Sequence, residues 1–332
     1  MCVTVNHTVP RTLRVLLLVA GISVIGLLIR QTGPRVIWTM LLRVGWRVPV
    51  VAGIYAMYLG TRALALWRAA PAGVVRLRDA LRVRVSGDVI EALTFTGPIF
   101  AEPAKGWFLM QYGLTATDAF ATVVVEFVLY DVATSVLEIA ALSLLLAGGA
   151  LPEAVRSGAM ALLVIPIAFL AACAWAAITG VGVIVPILRW SRVVVGASVA
   201  GWATDKVAPI ERVLVDVLHV HHRRCAEVVA IETAAHLLLI LEVWVVLRAL
   251  GFSGALHALI IEGGAKLIGL VFAFVPGQVG AAESVYVFLA RAVGVPAAAG
   301  LTLALVRRVR GLLIGAIGVS VLTLFKDSSA TR

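Results

Sequence analysis

Two glutamates stand directly after breaks in otherwise apolar sequence. Glu283 closes the stretch Phe274-Val275-Pro276-Gly277-Gln278-Val279-Gly280-Ala281-Ala282-Glu283, and Glu102 closes Thr96-Gly97-Pro98-Ile99-Phe100-Ala101-Glu102. An ionised carboxylate in hydrocarbon costs about 2.5–3.5 kcal/mol on the insertion scale, so such a group faces a polar cavity or a partner. Two roles fit. The carboxylates contact or gate a polar lipid headgroup, or each caps the half-helix that follows its break by accepting from free N–H groups.

The spacing downstream repeats. Glu102 is followed after eleven residues by Gly113 and after thirteen more by Glu126, and Glu283 is followed at the same intervals by Gly294 and Arg307. An aromatic, Trp107 or Phe288, stands five residues after each glutamate. Glu126 and Arg307 thus occupy equivalent places with opposite charge. Paired across a pseudo-twofold axis they would offset the cost of burying each other, as a structural lock or as part of a substrate path. Arg308 and Arg310 share the Arg307 helix, and at 100° per residue the three cannot all face one way. At least one reaches an interface or lines a cavity that takes phosphate.

Other charged groups have simpler readings. Glu262 and Lys266, four residues apart, form a local ion pair. Glu232 and His236 share that spacing and form a hydrogen-bonded pair or a proton relay. His221, His222, Arg223 and Arg224 read as a solvated, lipid-facing cluster, since adjacent histidines chelate one metal poorly without further ligands. Gly311-x-x-x-Gly315 is a helix-packing motif.

The elements that must position these groups follow from apolar run lengths. The runs flanking the second break, from Leu267 to Val275 and from Val285 to Val293, each fall short of the ~20 residues that cross a bilayer. Proline removes a backbone donor and glycine frees the dihedrals, so the chain turns there. Broken backbone at membrane depth is tolerated only within protein or beside a water-filled cavity. The expected elements are therefore two re-entrant hairpins, 86–112 and 257–294. Spans are expected at Leu13–Ile29, Val48–Trp67 (interrupted near Gly60, Thr61 and Arg62), Ala119–Ala147, Ala159–Ile178 (uncharged, facing lipid), Val228–Leu247 and Ala297–Phe325. Val36–Trp46 carries Arg43 and reads as interfacial.

The expected fold class is an all-α polytopic membrane protein, a single domain over 1–332, with six to seven spans plus the two hairpins in an inverted repeat. The first half covers 70–147 and the second 257–325. Between them 182–225 is a basic connection. There Ile210, Val213, Leu214, Val217 and Leu218 form one face of an amphipathic helix, with Pro209 just inside its start, lying on the cytoplasmic membrane surface. The basic segment Arg68–Arg84 is cytoplasmic by the positive-inside rule, which places the amino terminus inside. Arg30, Arg35, Arg43 and Arg47 then fall on the outer side, against that rule.

Composition agrees with a membrane class. Of 332 residues 61% are hydrophobic and 14% charged, with a mean hydropathy of +1.04. The net charge of +10 sits in segments flanking apolar runs, which points to anionic lipid headgroups and not to nucleic acid. Three cysteines, Cys2, Cys173 and Cys225, show no paired spacing, so neither disulfide nor zinc is indicated. The first apolar run lacks a small-x-small cleavage site and is expected to be retained.

Pro276-Gly277-x-x-Gly280-x-x-Glu283, followed by Gly294-Val295-Pro296 and Arg307, resembles the carboxy-terminal motif of the lysylphosphatidylglycerol synthase transmembrane region family of flippase-like membrane proteins. Gly97-Pro98 through Glu102-Pro103, and Ala121-Thr122-Val123-Val124-Val125-Glu126 through Asp131, resemble its amino-terminal half, and the resemblance spans roughly residues 10–325. Members often carry a second glycine after the Pro-Gly and an arginine before the glutamate; here those places hold Gln278 and Ala282. No aminoacyl-transferase domain is expected, because the chain ends at Arg332.

The resemblance implies a lipid translocator of the cell membrane, moving an anionic or polyprenyl-linked headgroup along a path of Glu102, Lys105, Glu126, Pro276, Gly277, Gly280, Glu283, Arg307 and Arg308. An accessory subunit partnering a lipid-modifying enzyme is the alternative, and a headgroup transferase a third. The chain has no Asp-x-Asp site and no G-x-x-x-x-G-K loop, so neither enzyme activity nor a cofactor is expected. Membrane lipids are the expected partners, with homo-oligomers also compatible.

Overall fold

The computed structural model describes residues 30, 34–94, 98–148, 151–191, 196–272 and 278–329. Among these residues every regular element is a helix. Helix α1 (Pro34–Val44) passes through a 3-10 turn (Gly45–Arg47) into α2 (Val48–Ala69). Two helices of moderate length follow, α3 (Leu77–Thr94) and α4 (Pro98–Met110), and then the long α5 (Ala116–Ala147). Next come α6 (Glu153–Thr179), α7 (Ile184–Trp190), α8 (Ala197–Val220) and α9 (His222–Ala249). The pattern of two shorter helices and one long one then recurs as α10 (Ala255–Val271), α11 (Ala281–Ala292) and α12 (Ala297–Ser329).

Among the described residues four segments are long and apolar enough to cross a membrane: Pro34–Ala69, Ala116–Ala147, Glu153–Thr179 and His222–Ala249. The protein is an all-helical membrane protein. Of the other expected spans, Leu13–Ile29 lies outside the described residues, and α12 carries Arg307, Arg308 and Arg310 near its middle.

Packing explains the arrangement. α2 and α9 form the most extensive helix pair, and each shorter-helix pair packs together, α3 on α4 and α10 on α11. The first member of each pair also packs on the long helix of the other half, α10 on α5 and α3 on α12. One buried cluster gathers Val44, Val51, Val246, Leu250, Ala258, Leu289 and Ala299, so the start of α2, the ends of α9 and α11 and the starts of α10 and α12 share one end of the bundle. α6 stands apart: only 11% of its most apolar window is buried, in keeping with the lipid-facing reading of its uncharged stretch Ala159–Ile178.

The structure departs from the sequence reading in several places. α2 is not interrupted at Gly60–Arg62, because Arg62, 2% exposed, turns inward onto carboxylates of the bundle. The first shorter helix begins at Leu77, inside what reads as a basic loop, because Arg84 is buried against Asp88 and Glu126. α8 starts at Ala197, with Pro209 inside it. Its expected apolar face is real, but Leu214, Val217 and Leu218 pack on Ala65, Val125, Leu129 and Val228 of the bundle and not on a membrane surface. Arg224 is not part of a solvated cluster: its guanidinium donates to the carbonyls of Arg68, Ala69 and Ala70 and so satisfies the open end of α2. A Cβ added at Gly311 or Gly315 would meet nothing within 4 Å, so that pair makes no close helix contact among the described residues.

Candidate functional site

Glu126, on α5, is fully buried and gathers cations from three helices. Arg62 of α2 places Nε 3.1 Å from its Oε1, Arg84 of α3 places Nη1 at 3.5 Å, and Lys105 of α4 places Nζ 3.7 Å from Oε2. These cations carry further carboxylates. Arg62 Nε lies 3.1 Å from Glu232 Oε2 of α9, Arg84 Nε 3.1 Å from Asp88, and Lys105 Nζ 2.6 Å from Glu102.

The second half repeats this hub with the signs exchanged. Arg307 of α12 places Nε 3.3 Å from Glu242 of α9 and Nη2 2.7 Å from Glu262 of α10, and it donates to the Tyr286 hydroxyl of α11. Arg62 and Glu126 are 64 residues apart and Glu242 and Arg307 are 65 apart. Arg307 and Tyr286 are 21 apart, the same interval as Lys105 and Glu126. Glu126 and Arg307 are therefore equivalent, as their spacing indicates, but they do not pair with each other. Each finds opposite charge on the preceding span and the first shorter helix of its own half, so neither depends on the other as its partner.

Glu283 and Arg308 meet as well, Arg308 Nε donating to Oε1 at 2.8 Å. The other oxygen of Glu283 accepts from Gly280 N at 2.8 Å, so the carboxylate also caps α11. That is possible because Gly280 takes a φ of +81°, which glycine adopts without strain. Gln278 takes a φ of +47° and is held by a 3.3 Å bond from Nε2 to the Gly269 carbonyl. Glu102 is bound to Lys105 within α4. Pro276 and Gly277 lie outside the described residues.

Tyrosines connect the hubs. The Tyr130 hydroxyl accepts from Lys266 Nζ at 2.7 Å, while the Arg62 guanidinium lies 3.6 Å from the centre of its ring. Tyr58 and Tyr55 of α2 stack at 5.2 Å; Arg62 reaches the Tyr58 hydroxyl at 3.4 Å, and Arg310 lies 3.7 Å above the Tyr55 ring. Arg310 also pairs with Glu242. Polar contacts therefore run unbroken from Glu102 on α4 to Arg307 on α12. Glu262 and Lys266 form the expected pair, at 3.9 Å, but each has a nearer partner elsewhere. Glu232 and His236 do not pair: Glu232 serves Arg62, and His236 Nε2 lies 2.8 Å from Thr134 Oγ1.

Beside this line lies a cavity of about 220 Å³. Three tyrosines (Tyr55, Tyr58, Tyr286) and three cations (Lys266, Arg307, Arg310) line it, with Glu262 as the carboxylate. A second cavity, of about 230 Å³ between α5, α10 and α11, is lined by leucines, Ile260 and His257 and has no formally charged wall. Only the first offers charge to a polar ligand.

The model of the lysylphosphatidylglycerol synthase TM region matches residues 13–318, nearly the whole chain. The chain belongs to that family. No curated protein and no solved structure matches it. The match takes in both hubs and the cavity, so the charged line is part of the family region. The sequence reading drew Glu102, Lys105, Glu126, Gly280, Glu283, Arg307 and Arg308 from this region, and the structure places all of them in or beside the hubs. It missed Arg62, Arg84, Glu242, the hub role of Glu262 and Lys266, and all four tyrosines. The spacing of 64 and 65 residues was the signal for Arg62 and Glu242. The tyrosines gave none.

Proposed function

We propose that the protein is a flippase-like translocator that carries the headgroup of an anionic or polyprenyl-linked lipid between leaflets, without a chemical step of its own. One observation carries the reading: an unbroken line of buried ion pairs and tyrosines spans both halves and borders a cavity walled by Lys266, Arg307 and Arg310. A headgroup in hydrocarbon needs replacement for its water, and a ladder of groups that exchange partners supplies it. Ion pairs serving only to hold helices together are less economical, since well-packed apolar residues do as well or better.

The paired shorter helices fit re-entrant hairpins, α3–α4 entering from one side and α10–α11 from the other, in an inverted repeat with binding at the repeat interface. α3 and α10 each pack on the opposite half's long helix, as a twofold relation requires. The end of the bundle formed by Arg68–Arg84, α7 and α8 holds more Lys and Arg than the other, which supports its being cytoplasmic in a cell membrane, with the amino terminus on that side.

The test is reconstitution of the purified chain in liposomes with a fluorescent phospholipid. The protein should accelerate exchange of anionic lipid over empty vesicles. Equal rates with and without protein across phosphatidylglycerol, phosphatidylcholine and a polyprenyl phosphate would refute autonomous translocation and favour an accessory subunit of a lipid-modifying enzyme.

A further inference from the structure

We propose that the cavity between α2, α10, α11 and α12 is a binding site for one singly charged phosphodiester, held by Lys266, Arg307 and Arg310. The proposal rests on the translocation reading only for taking a lipid as the source of the anion.

The charge balance selects this hub. Its connected ion pairs join three cations, Lys266, Arg307 and Arg310, to two carboxylates, Glu242 and Glu262. Within these pairs, among the described residues, one positive charge is left over. In the other hub Arg62, Arg84 and Lys105 face Asp88, Glu102, Glu126 and Glu232, which leaves no cation over for an anion. Arg310 and Arg307 share Glu242, and Arg307 also holds Glu262. Lys266 has the loosest ion pair of the three: it stands 3.9 Å from Glu262, and its short bond goes to a neutral phenol, Tyr130. An ammonium has three donors, so others remain for a ligand in the cavity it lines.

The tyrosines complete the site. Tyr286 accepts from Arg307 and Tyr58 accepts from Arg62. The Tyr286 hydroxyl therefore keeps its own proton to donate, and both tyrosines line the cavity. A phosphate seated there receives an ammonium, guanidinium edges and a phenolic O–H group, a donor set suited to an oxyanion. The single excess charge also sets the preference. A phosphodiester carries one negative charge and balances the hub. A phosphomonoester approaches two near neutral pH and would leave a buried negative charge uncompensated.

Binding to the purified full chain in uncharged detergent, by isothermal titration at neutral pH, tests this. The probes are dihexanoyl phosphatidylglycerol, dihexanoyl phosphatidic acid, dihexanoyl phosphatidylcholine and dimethyl phosphate. Phosphatidylglycerol should bind saturably and at least about ten-fold tighter than phosphatidic acid or phosphatidylcholine. Loss of one charge-assisted contact in Lys266→Gln should weaken it about 10–100-fold, and Tyr286→Phe should weaken it by a smaller factor. Arg212→Gln, at an exposed position, should leave it unchanged. Tighter binding of phosphatidic acid, equal binding of phosphatidylcholine, or full affinity in both cavity variants would overturn the proposal. Dimethyl phosphate binding as tightly as the lipid would overturn the lipid source. Failure of binding with translocation intact removes this site alone, and binding without translocation of any lipid removes the translocation reading alone.

Discussion

Replacing Arg62 with methionine should unmask the cost of the first hub. The Arg62 side chain is 3% exposed, and those of Glu126 and Glu232 are fully buried. Without the guanidinium, Glu126 keeps Arg84 at 3.5 Å and Lys105 at 3.7 Å. Glu232, whose ion pair is with Arg62, is left in the bundle without its cation. Breaking a buried pair from one side costs about 3–5 kcal/mol. At the lower end of about 2–4 °C per kcal/mol, the apparent melting temperature in detergent should fall by about 6–10 °C, read at one scan rate because such unfolding is commonly irreversible. Glu232→Met alone should cost less, since Arg62 retains Glu126. The double variant places apolar side chains where the second pair stood and should recover most of the loss. A coupling energy of about 2–3 kcal/mol is expected from the shared contact. Strictly additive losses would refute the assignment of Arg62 as the partner of Glu232.

Three further outcomes follow from the geometry. Glu126→Arg and Arg307→Glu should each lower the melting temperature, and the double reversal should show no rescue, because each residue then meets like charge in its own hub; recovery would mean that they pair directly. Gly300→Ala should destabilise by about 1–3 kcal/mol, since the added Cβ would press on the Tyr286 carbonyl and the Ala290 side chain, and an unchanged melting temperature would argue against the close approach of α11 and α12. In a background lacking the native cysteines, single cysteines at Arg78 and Gln111 should label from the cytoplasmic face and ones at Ser253 and Arg291 from the opposite face; labelling of either pair from two faces would turn that hairpin into a span.

The repeat was legible because glycine and charge leave local marks. Gly113 and Gly294, at matching places in the spacing, take φ of +93° and +76° where α4 and α11 end, so the interval reflects a helix stop that favours glycine. Glu283 as a helix cap was likewise readable from its place after Gly280. The partners of Glu126 and Arg307 were not, because a pairing is a fact of tertiary packing. Opposite charges at equivalent places suggested one pair across the axis; the structure makes two hubs, because α2 and α9 bring Arg62 and Glu242 into register. Arg62 read as a break in an apolar span since its compensation lies on other helices. The face of α8 was found correctly, yet periodicity cannot tell a membrane surface from the end of a bundle. The cavity tyrosines fall in apolar stretches, where nothing in sequence separates a packing phenol from a donor.

The central claim is that a lipid headgroup moves through the cavity beside Lys266 and Arg307. Ala265 lines that cavity and forms no part of either hub, so Ala265→Trp fills the space while leaving the ion pairs in place. The direct measurement is the rate at which fluorescent phosphatidylglycerol in liposomes changes leaflet, with wild-type protein, with Ala265→Trp at matched reconstitution, and with none. The account predicts acceleration by wild type and a rate near that of empty vesicles for a folded Ala265→Trp. Wild-type acceleration retained by that variant would contradict it.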